Sequence, residues 1–275
     1  MLFLALFLFF ISVFLLVIQL WPEKLEVSEE EKVGGLYRLF RPFIKYLANL
    51  NRKLPLAGMK KSYLRKIERA GLQIELSPDD FLAIKELTLI GFFLFSLLFY
   101  SVLGKAILVI IFGILLGYFL PDIRLSDRIK KRELAIIRAM PNFLDFLSLA
   151  VEAGLDFAGA VRKVVEKSRP NPLISEFKLF LRELIVGKTR KEALRGMAQK
   201  LDMTEINSFT STIIQAEEAG SSLGQVLKIQ ADELRTKRFQ RAEKLASQAP
   251  IKMLFPLIAF IFPATFIMLF GSSLS

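Results

Sequence analysis

The sequence predicts an all-α membrane protein with about four transmembrane helices and a cytoplasmic antiparallel helical bundle. The 275 residues are 53% hydrophobic yet carry a formal net charge of +11. Long uncharged runs alternate with basic blocks along the chain, which is typical of membrane proteins. One basic block shows helical periodicity and is divided by three glycine-centred joints of equal spacing.

The chain contains no cysteine and no histidine. A disulfide framework is therefore impossible, and the usual zinc and haem ligands and Cys or His nucleophiles are missing. We expect no catalytic residue, no metal and no cofactor, and hence no enzyme. A carboxylate-only metal site or a Ser/Lys mechanism remains open on composition alone.

The first apolar run, residues 1–20, predicts a transmembrane anchor. It has no charged side chain and is just long enough to cross about 30 Å of hydrocarbon. The alternative is a cleaved signal peptide, which needs a basic start and a small-residue cleavage site. The first cation is Lys24, and the run ends at Trp21-Pro22. We therefore prefer the anchor, with Trp21 at the membrane interface.

Residues 81–120 predict a transmembrane helical hairpin. Between Leu87 and Leu120 the only charge is Lys105, where we expect a tight turn. The segment Ser77–Asp80 provides an N-cap, a proline at the first helical position and carboxylates at the positive end of the helix dipole. Pro121 is predicted to end the second helix of the hairpin.

Residues 251–271 predict the C-terminal transmembrane helix. Lys252 lies at its N-terminal end, where a long basic side chain can reach the membrane interface. Pro256 and Pro263 are seven positions apart, so they share a face and are expected to shape the helix by kinking it in one direction. Gly271 is predicted to end it.

The distribution of Lys and Arg orients the chain. Residues 21–80 and 121–250 hold nearly all of them, so the positive-inside rule places both blocks in the cytoplasm. Because this rule accounts for the basic charge, we expect no nucleic-acid partner. The predicted spans carry no charge at mid-depth, which argues against a pump, a transporter or an intramembrane protease.

The first cytoplasmic segment, residues 21–80, contains one short amphipathic helix at 60–70. Leu64 and Ile67 lie on one side, and Lys and Arg surround them. We interpret it as a solvated basic helix near anionic lipid headgroups in preference to a specific binding site.

The second block, residues 121–250, predicts a six-helix bundle. Three glycines, Gly154, Gly187 and Gly220, are each followed two positions later by Asp, Thr or Ser. A glycine in the left-handed conformation ends one helix, and the polar side chain caps the next. The predicted helices are 141–153, 156–167, 172–186, 189–201, 204–219 and a long one from 222 that continues toward the last span.

Two stretches carry a family resemblance. RAMPNFLDFLSLAVEAGLDFAGAV follows the hairpin, and QAEEAGSSLGQVLKIQADELRTKRFQRAEKLASQAPIKMLFPLIAFIFP leads into the last span. Together with the hairpin they resemble the type II secretion system F family. They are most similar to the inner-membrane platform proteins of tight-adherence (Tad or Flp) pili. The resemblance covers roughly residues 60–271.

The resemblance implies a multi-pass inner-membrane protein without catalytic activity. Its implied partners are a hexameric secretion ATPase, a sister platform protein, pilin subunits and the lipid membrane, in a homo- or hetero-oligomer. Alternatives that stay open are the platform of another type II secretion system or of an archaeal filament system. A membrane scaffold or receptor with a helical cytoplasmic domain also stays open.

The residues that match the family's motifs fall into three groups. For most of them a purely structural role, as a helix cap, an ion pair or a helix kink, competes with a functional one. The helix-joint and motif positions are Pro141, Glu152, Gly154, Gly187, Glu218 and Gly220; the candidate partner or lipid contacts are Arg235, Arg238, Arg241, Glu243 and Lys252; the helix-shaping prolines are Pro256 and Pro263.

Overall fold

The computed structural model describes residues 35–52, 57–73, 75–103 and 107–271. This part of the chain is helical and contains no strand, in agreement with the predicted all-α fold. The predicted anchor at 1–20 and the hairpin turn at Lys105 lie outside the described residues. The helices are α1, Gly35–Arg52; α2, Ala57–Ala70; α3, Pro78–Leu103; α4, Ile107–Glu152; α5, Phe157–Lys167; α6, Pro172–Ile185; α7, Arg190–Leu201; α8, Thr204–Glu218; α9, Leu223–Pro256; and α10, Phe262–Gly271, with a π-helical turn at Leu257–Ile261 between α9 and α10.

Within the described ranges, α4 is the one helix both long and apolar enough to cross a membrane. Ile258–Met268 is a shorter apolar stretch. The prediction of about four spans is therefore not confirmed.

Small residues let α3 and α4 pack closely as an antiparallel hairpin. A Cβ added at Gly113 would lie 2.8 Å from the Ser96 side chain, and one added at Gly117 would lie 2.9 Å from the Leu89 backbone. This is the small-xxx-small spacing with which helices approach each other in membranes. Gly113 and Gly117, in the hairpin predicted for 81–120, thus allow the close packing of its two helices.

Pro121 does not end α4, contrary to the prediction. A proline inside a helix leaves the carbonyl four residues earlier without its usual donor. Here that carbonyl belongs to Gly117, and it accepts from the Thr88 hydroxyl of α3 at 3.0 Å, a donor shared with the Lys85 carbonyl at 2.9 Å. The helix also continues through Pro141, so the predicted helix at 141–153 is the last part of α4.

The N-terminal module consists of α1, α2, the first turns of α3 and the part of α4 around Leu125 and Ile129. These elements share one buried cluster, in which the rings of Tyr63 and Phe81 lie 4.8 Å apart. The predicted amphipathic helix at 60–70 is present within α2. It buries Ile67 fully while Leu64 stays exposed.

Lys85 forms a buried polar layer at the foot of the α3–α4 hairpin. Its Nζ donates to Asp122 Oδ2 at 2.7 Å and to Tyr63 Oη at 3.1 Å. The same ammonium lies 3.5 Å from the centre of the Tyr118 ring. A buried cation needs such partners, and these tie α2, α3 and α4 together where the apolar part of the hairpin ends.

The C-terminal bundle is a ring of six helices formed by the last part of α4, α5, α6, α7, α8 and the first part of α9. Each helix contacts the next, and α9 returns to pack on α4. The core is aromatic: Phe143 stacks on Phe177 at 4.2 Å, and Phe157, Phe180 and Phe209 surround them. The bounds of α5 to α8 lie within one residue of the predicted ones.

A buried charged cluster joins the N-terminal module to the bundle. Arg132 of α4 donates to the Arg69 carbonyl at the end of α2 at 3.0 Å and to Glu176 of α6 at 2.5 Å. Lys200 of α7 donates to both Glu176 oxygens at 3.0 and 2.8 Å. Gly71 makes room, because a Cβ there would lie 2.7 Å from Arg132 Nε. The cluster sets how the two parts of the chain sit against each other.

Candidate functional site

The three predicted glycine joints lie together at one end of the bundle. Helices α4, α6 and α8 run toward this end, and α5, α7 and α9 run away from it. Each joint contains a glycine with positive φ: 92° at Gly154, 95° at Gly187 and 64° at Gly220. We call this surface, formed by residues 152–156, 185–191 and 217–222, the joint end.

All three joints use the same pair of capping hydrogen bonds. At the second joint the Gly187 amide donates to the Leu184 carbonyl at 3.0 Å, and the Lys188 amide donates to the Glu183 carbonyl at 3.0 Å. The equivalent bonds occur after Gly154 and Gly220. This is the Schellman arrangement, which needs a left-handed residue and so favours glycine.

The next helices begin with side-chain caps at two joints. Asp156 accepts from the Gly159 amide at 3.2 Å. Thr189 and Glu192 form a capping box, in which Glu192 Oε2 accepts from the Thr189 amide at 3.0 Å. The hydrogen bond from this amide, with that from the Thr189 hydroxyl, holds the pKa of Glu192 below its ordinary value.

Ion pairs cross from one joint to another. Arg190 reaches Asp156 at 2.9 Å and Glu217 at 3.3 Å, and Lys191 reaches Glu218 at 2.5 Å. The hydrogen bond from Lys191 lowers the pKa of Glu218. Most of these side chains are half exposed, so the pairs contribute little stability, but they link the three turns to one another.

The joint end also exposes aliphatic side chains that sequence reasoning missed. Ile185 is 78% exposed and Val186 is 84% exposed, and Leu155 lies on the neighbouring joint. The sequence signal that could have indicated this exposure is the position of the Ile-Val pair, after the apolar stripe of α6 and directly before Gly187. Exposed aliphatic groups ringed by charge are typical of a surface that binds another protein.

Glu152, within the joint end, has a packing role. A Cβ added at Gly224, in the first turn of α9, would lie 3.0 Å from Glu152 Cγ. The glycine therefore lets the start of α9 approach the end of α4.

Two of the predicted partner or lipid contacts, Arg238 and Arg241, line a groove of about 450 Å³ between α4 and α9, the α4–α9 groove. Leu134, Pro141 and Leu245 contribute to its apolar lining. The three arginines with three-residue spacing differ in their partners. Arg235 pairs with Asp145 and Asp232, and Arg241 pairs with Glu205.

Arg238 lines the same groove and is exposed, and within the described part of the chain it has no ion pair. Glu243 is also exposed, farther along α9. Of the three arginines, Arg238 is therefore the one whose charge is not already engaged by the bundle.

The C-terminal apolar segment is not a continuous α-helix between its two prolines. α9 ends at Pro256, a π-helical turn follows, and α10 contains Pro263. Pro263 cannot donate to the Ala259 carbonyl inside the π turn, and such turns mark helix bends. Lys252 lies in α9, close to this bend. A π turn thus lies between the two prolines, and the kink in one direction stays a prediction.

No group of three or more Asp or Glu side chains in the described ranges is arranged to hold a metal ion. The joint end and the α4–α9 groove both combine ion pairs with apolar side chains. Surfaces of this kind are typical of sites that bind other proteins.

The comparisons with known proteins agree with this picture. Residues 143–271 match the family model of the type II secretion system (T2SS), protein F. No curated protein and no solved structure matches the chain significantly. The matched residues are a little under half of the chain and run from the last part of α4 through α10. The match supports the type II secretion system F family for the bundle and the C-terminal apolar helix.

Proposed function

We propose that the protein is an inner-membrane platform of a Tad/Flp-type pilus machine, which couples a hexameric secretion ATPase to the assembly of pilin subunits. Proteins of the type II secretion F family are structural membrane platforms and not enzymes. The joint end, with Ile185, Val186 and crossed ion pairs, is the proposed ATPase contact. A sister platform protein is the proposed second partner, within an oligomer.

The observation that carries this proposal is the continuity of two long helices. α4 and α9 pack side by side. α4 runs unbroken from its apolar half into the bundle, and α9 extends from the bundle to Pro256, where the π turn and the apolar stretch Ile258–Met268 follow. At 1.5 Å per residue they measure about 69 and 51 Å. A displacement at the joint end would in this proposal reach the apolar segments as a rigid-body movement of the two helices.

A break in α9 tests the transmission. Two glycines inserted after Ala246, between the bundle and the C-terminal apolar helix, should uncouple the two parts. We expect surface filaments, counted by electron microscopy, to be lost while the protein still accumulates in the membrane. The control is the same insertion after Arg169, in the turn between α5 and α6, which should leave filaments in place. Normal piliation in the Ala246 variant would refute the rigid-body mechanism.

A gene deletion tests the role itself. Loss of filaments with mature pilin retained in the inner membrane supports a platform, whereas normal filaments favour a membrane scaffold or receptor. The platform of another type II secretion or archaeal filament system is the second candidate, because the family match extends to the type II secretion F protein in general. Retained filaments with lost protein secretion would favour that candidate.

A further inference from the structure

Helix α1, which the sequence patterns did not single out, runs back along α3. Lys60 Nζ donates to the Asn51 carbonyl at 2.8 Å and pairs with Asp79 at 2.9 Å. The end of α1 therefore lies beside the first turn of α3. Because the two helices also pack along their length, α1 is antiparallel to α3, and Lys45 lies near the level of Lys85.

α1 has two apolar faces. One is buried in the N-terminal module through Ile44 and Ala48. The opposite face presents Phe43, Tyr46 and Leu50, which are 63%, 73% and 57% exposed. These three positions are three and four residues apart, so they form one stripe. Aromatic and aliphatic side chains in such a stripe are costly to leave in water.

Exposed cations without acidic partners are carried by both helices of this part of the module. Lys45 and Arg52 of α1, with Lys61 and Arg65 of α2, are exposed and form no ion pair within the described residues. Glu68 is the one acidic residue between Gly35 and Ala70. The surface therefore combines apolar side chains with uncompensated positive charge.

The position of the stripe matches a membrane border. Beyond Glu86, the exposed side chains described on α3 as far as Leu97 are apolar, including Ile90, Phe93 and Leu94. The stripe of α1 thus lies next to the end of this apolar surface, near the level of Lys85. Tyr118 lies at the same polar layer, and tyrosines favour the headgroup region.

We propose that the N-terminal module is an anionic-phospholipid binding surface, with Phe43, Tyr46 and Leu50 at the acyl boundary and Lys45 and Arg52 on headgroup phosphates. Basic side chains beside a membrane border attract anionic headgroups, and aromatic side chains favour the same region. The proposal rests on the proposed membrane location and not on the pilus role. It places the surface mainly on α1, and not on the 60–70 helix that the sequence suggested.

The test uses the full chain in vesicles. Trp21→Phe removes the only tryptophan, and Tyr46→Trp then reports the stripe. The vesicles contain phosphatidylcholine alone or with increasing phosphatidylglycerol, and both lipids carry bromine near the headgroup end of their acyl chains. We expect bromine quenching to rise with the phosphatidylglycerol fraction. Lys45→Gln and Arg52→Gln should each raise the fraction needed for half-maximal quenching about fivefold at low salt.

The matched control places the tryptophan at Ile185 in the same background, at the joint end, where no vesicle should quench it. The proposal is overturned if the tryptophan at position 46 stays unquenched in anionic vesicles. Equal quenching without phosphatidylglycerol, unaffected by the glutamine variants, would also overturn it. If aqueous acrylamide fails to quench as well, a protein surface covers the stripe, which is equally contrary to the proposal. None of these readouts involves filaments, so the proposed function stands or falls separately.

Discussion

Removing the Glu176 charge should destabilise the protein more than any surface change. Glu176 is 3% exposed and accepts hydrogen bonds from both Arg132 and Lys200. In Glu176→Gln two cations would share a buried site without a counter-charge, and the amide N–H groups would face further donors. Breaking a buried ion pair in this way costs about 3–5 kcal/mol.

The assay is thermal unfolding of the purified protein in detergent, followed by circular dichroism. At about 2–4 °C per kcal/mol for a chain of this size, we expect Glu176→Gln to lower Tm by roughly 6–20 °C. Glu183→Gln is the matched control, on the same helix. Its partner Lys188 lies at 3.0 Å and is half exposed, so the loss should be within about 1 kcal/mol.

A second variant separates charge from packing. Lys200→Met in the Glu176→Gln background removes one of the two uncompensated cations and should recover part of the lost Tm. Replacing a whole buried charged group by apolar residues is often close to neutral. Equal Tm values for Glu176→Gln and Glu183→Gln would refute the assignment of Glu176 to a buried charged cluster.

Three further predictions use the same unfolding measurement. Gly117→Ala should cost about 1–3 kcal/mol, since its Cβ would meet the Leu89 backbone at 2.9 Å. Gly91→Ala, with open space around it, should be neutral or stabilising, and equal losses would contradict the close helix packing. Gly187→Ala, at φ 95°, should lower the free energy of unfolding by about 1–2 kcal/mol. The control, Gly196→Ala inside α7, should raise it by up to about 1 kcal/mol. An unchanged stability in Gly187→Ala would show that the joint does not need its left-handed turn. Because the folded-state pKa of Glu218 lies below its ordinary value of 4.5, its contribution is present above that pH and is lost as the pH falls through the lower folded value. Lys191→Met should therefore reduce the acid-side fall in Tm, and an unchanged pH profile would count against the pair.

The joints were the most predictable part of the fold. A glycine, a capping side chain two residues later and an apolar pair beyond it all act within one or two helical turns. Their conformations therefore depend little on the rest of the chain. That is why the bounds of α5 to α8 agree with the predicted ones to within a residue.

The prolines of α4 show where local reasoning fails. Pro121 has the signal of a helix end, but its cost depends on whether the freed Gly117 carbonyl finds a donor. Thr88, on another helix, supplies one. The partners of the three evenly spaced arginines were equally unpredictable from the sequence. Arg235 pairs with Asp145 and Arg241 pairs with Glu205, whereas Arg238 is exposed to solvent.

By itself the sequence determined the helical class, the alternation of apolar and basic segments, the three joints and the absence of Cys and His chemistry. These features follow from composition and from interactions between residues close in the chain. The folded structure was needed to show that the three joints meet at one end and that Arg132, Glu176 and Lys200 share a buried site. It also decided that α1 keeps an apolar face uncovered. Each of these depends on contacts between residues far apart in the chain, and burial and pairing are properties of such contacts.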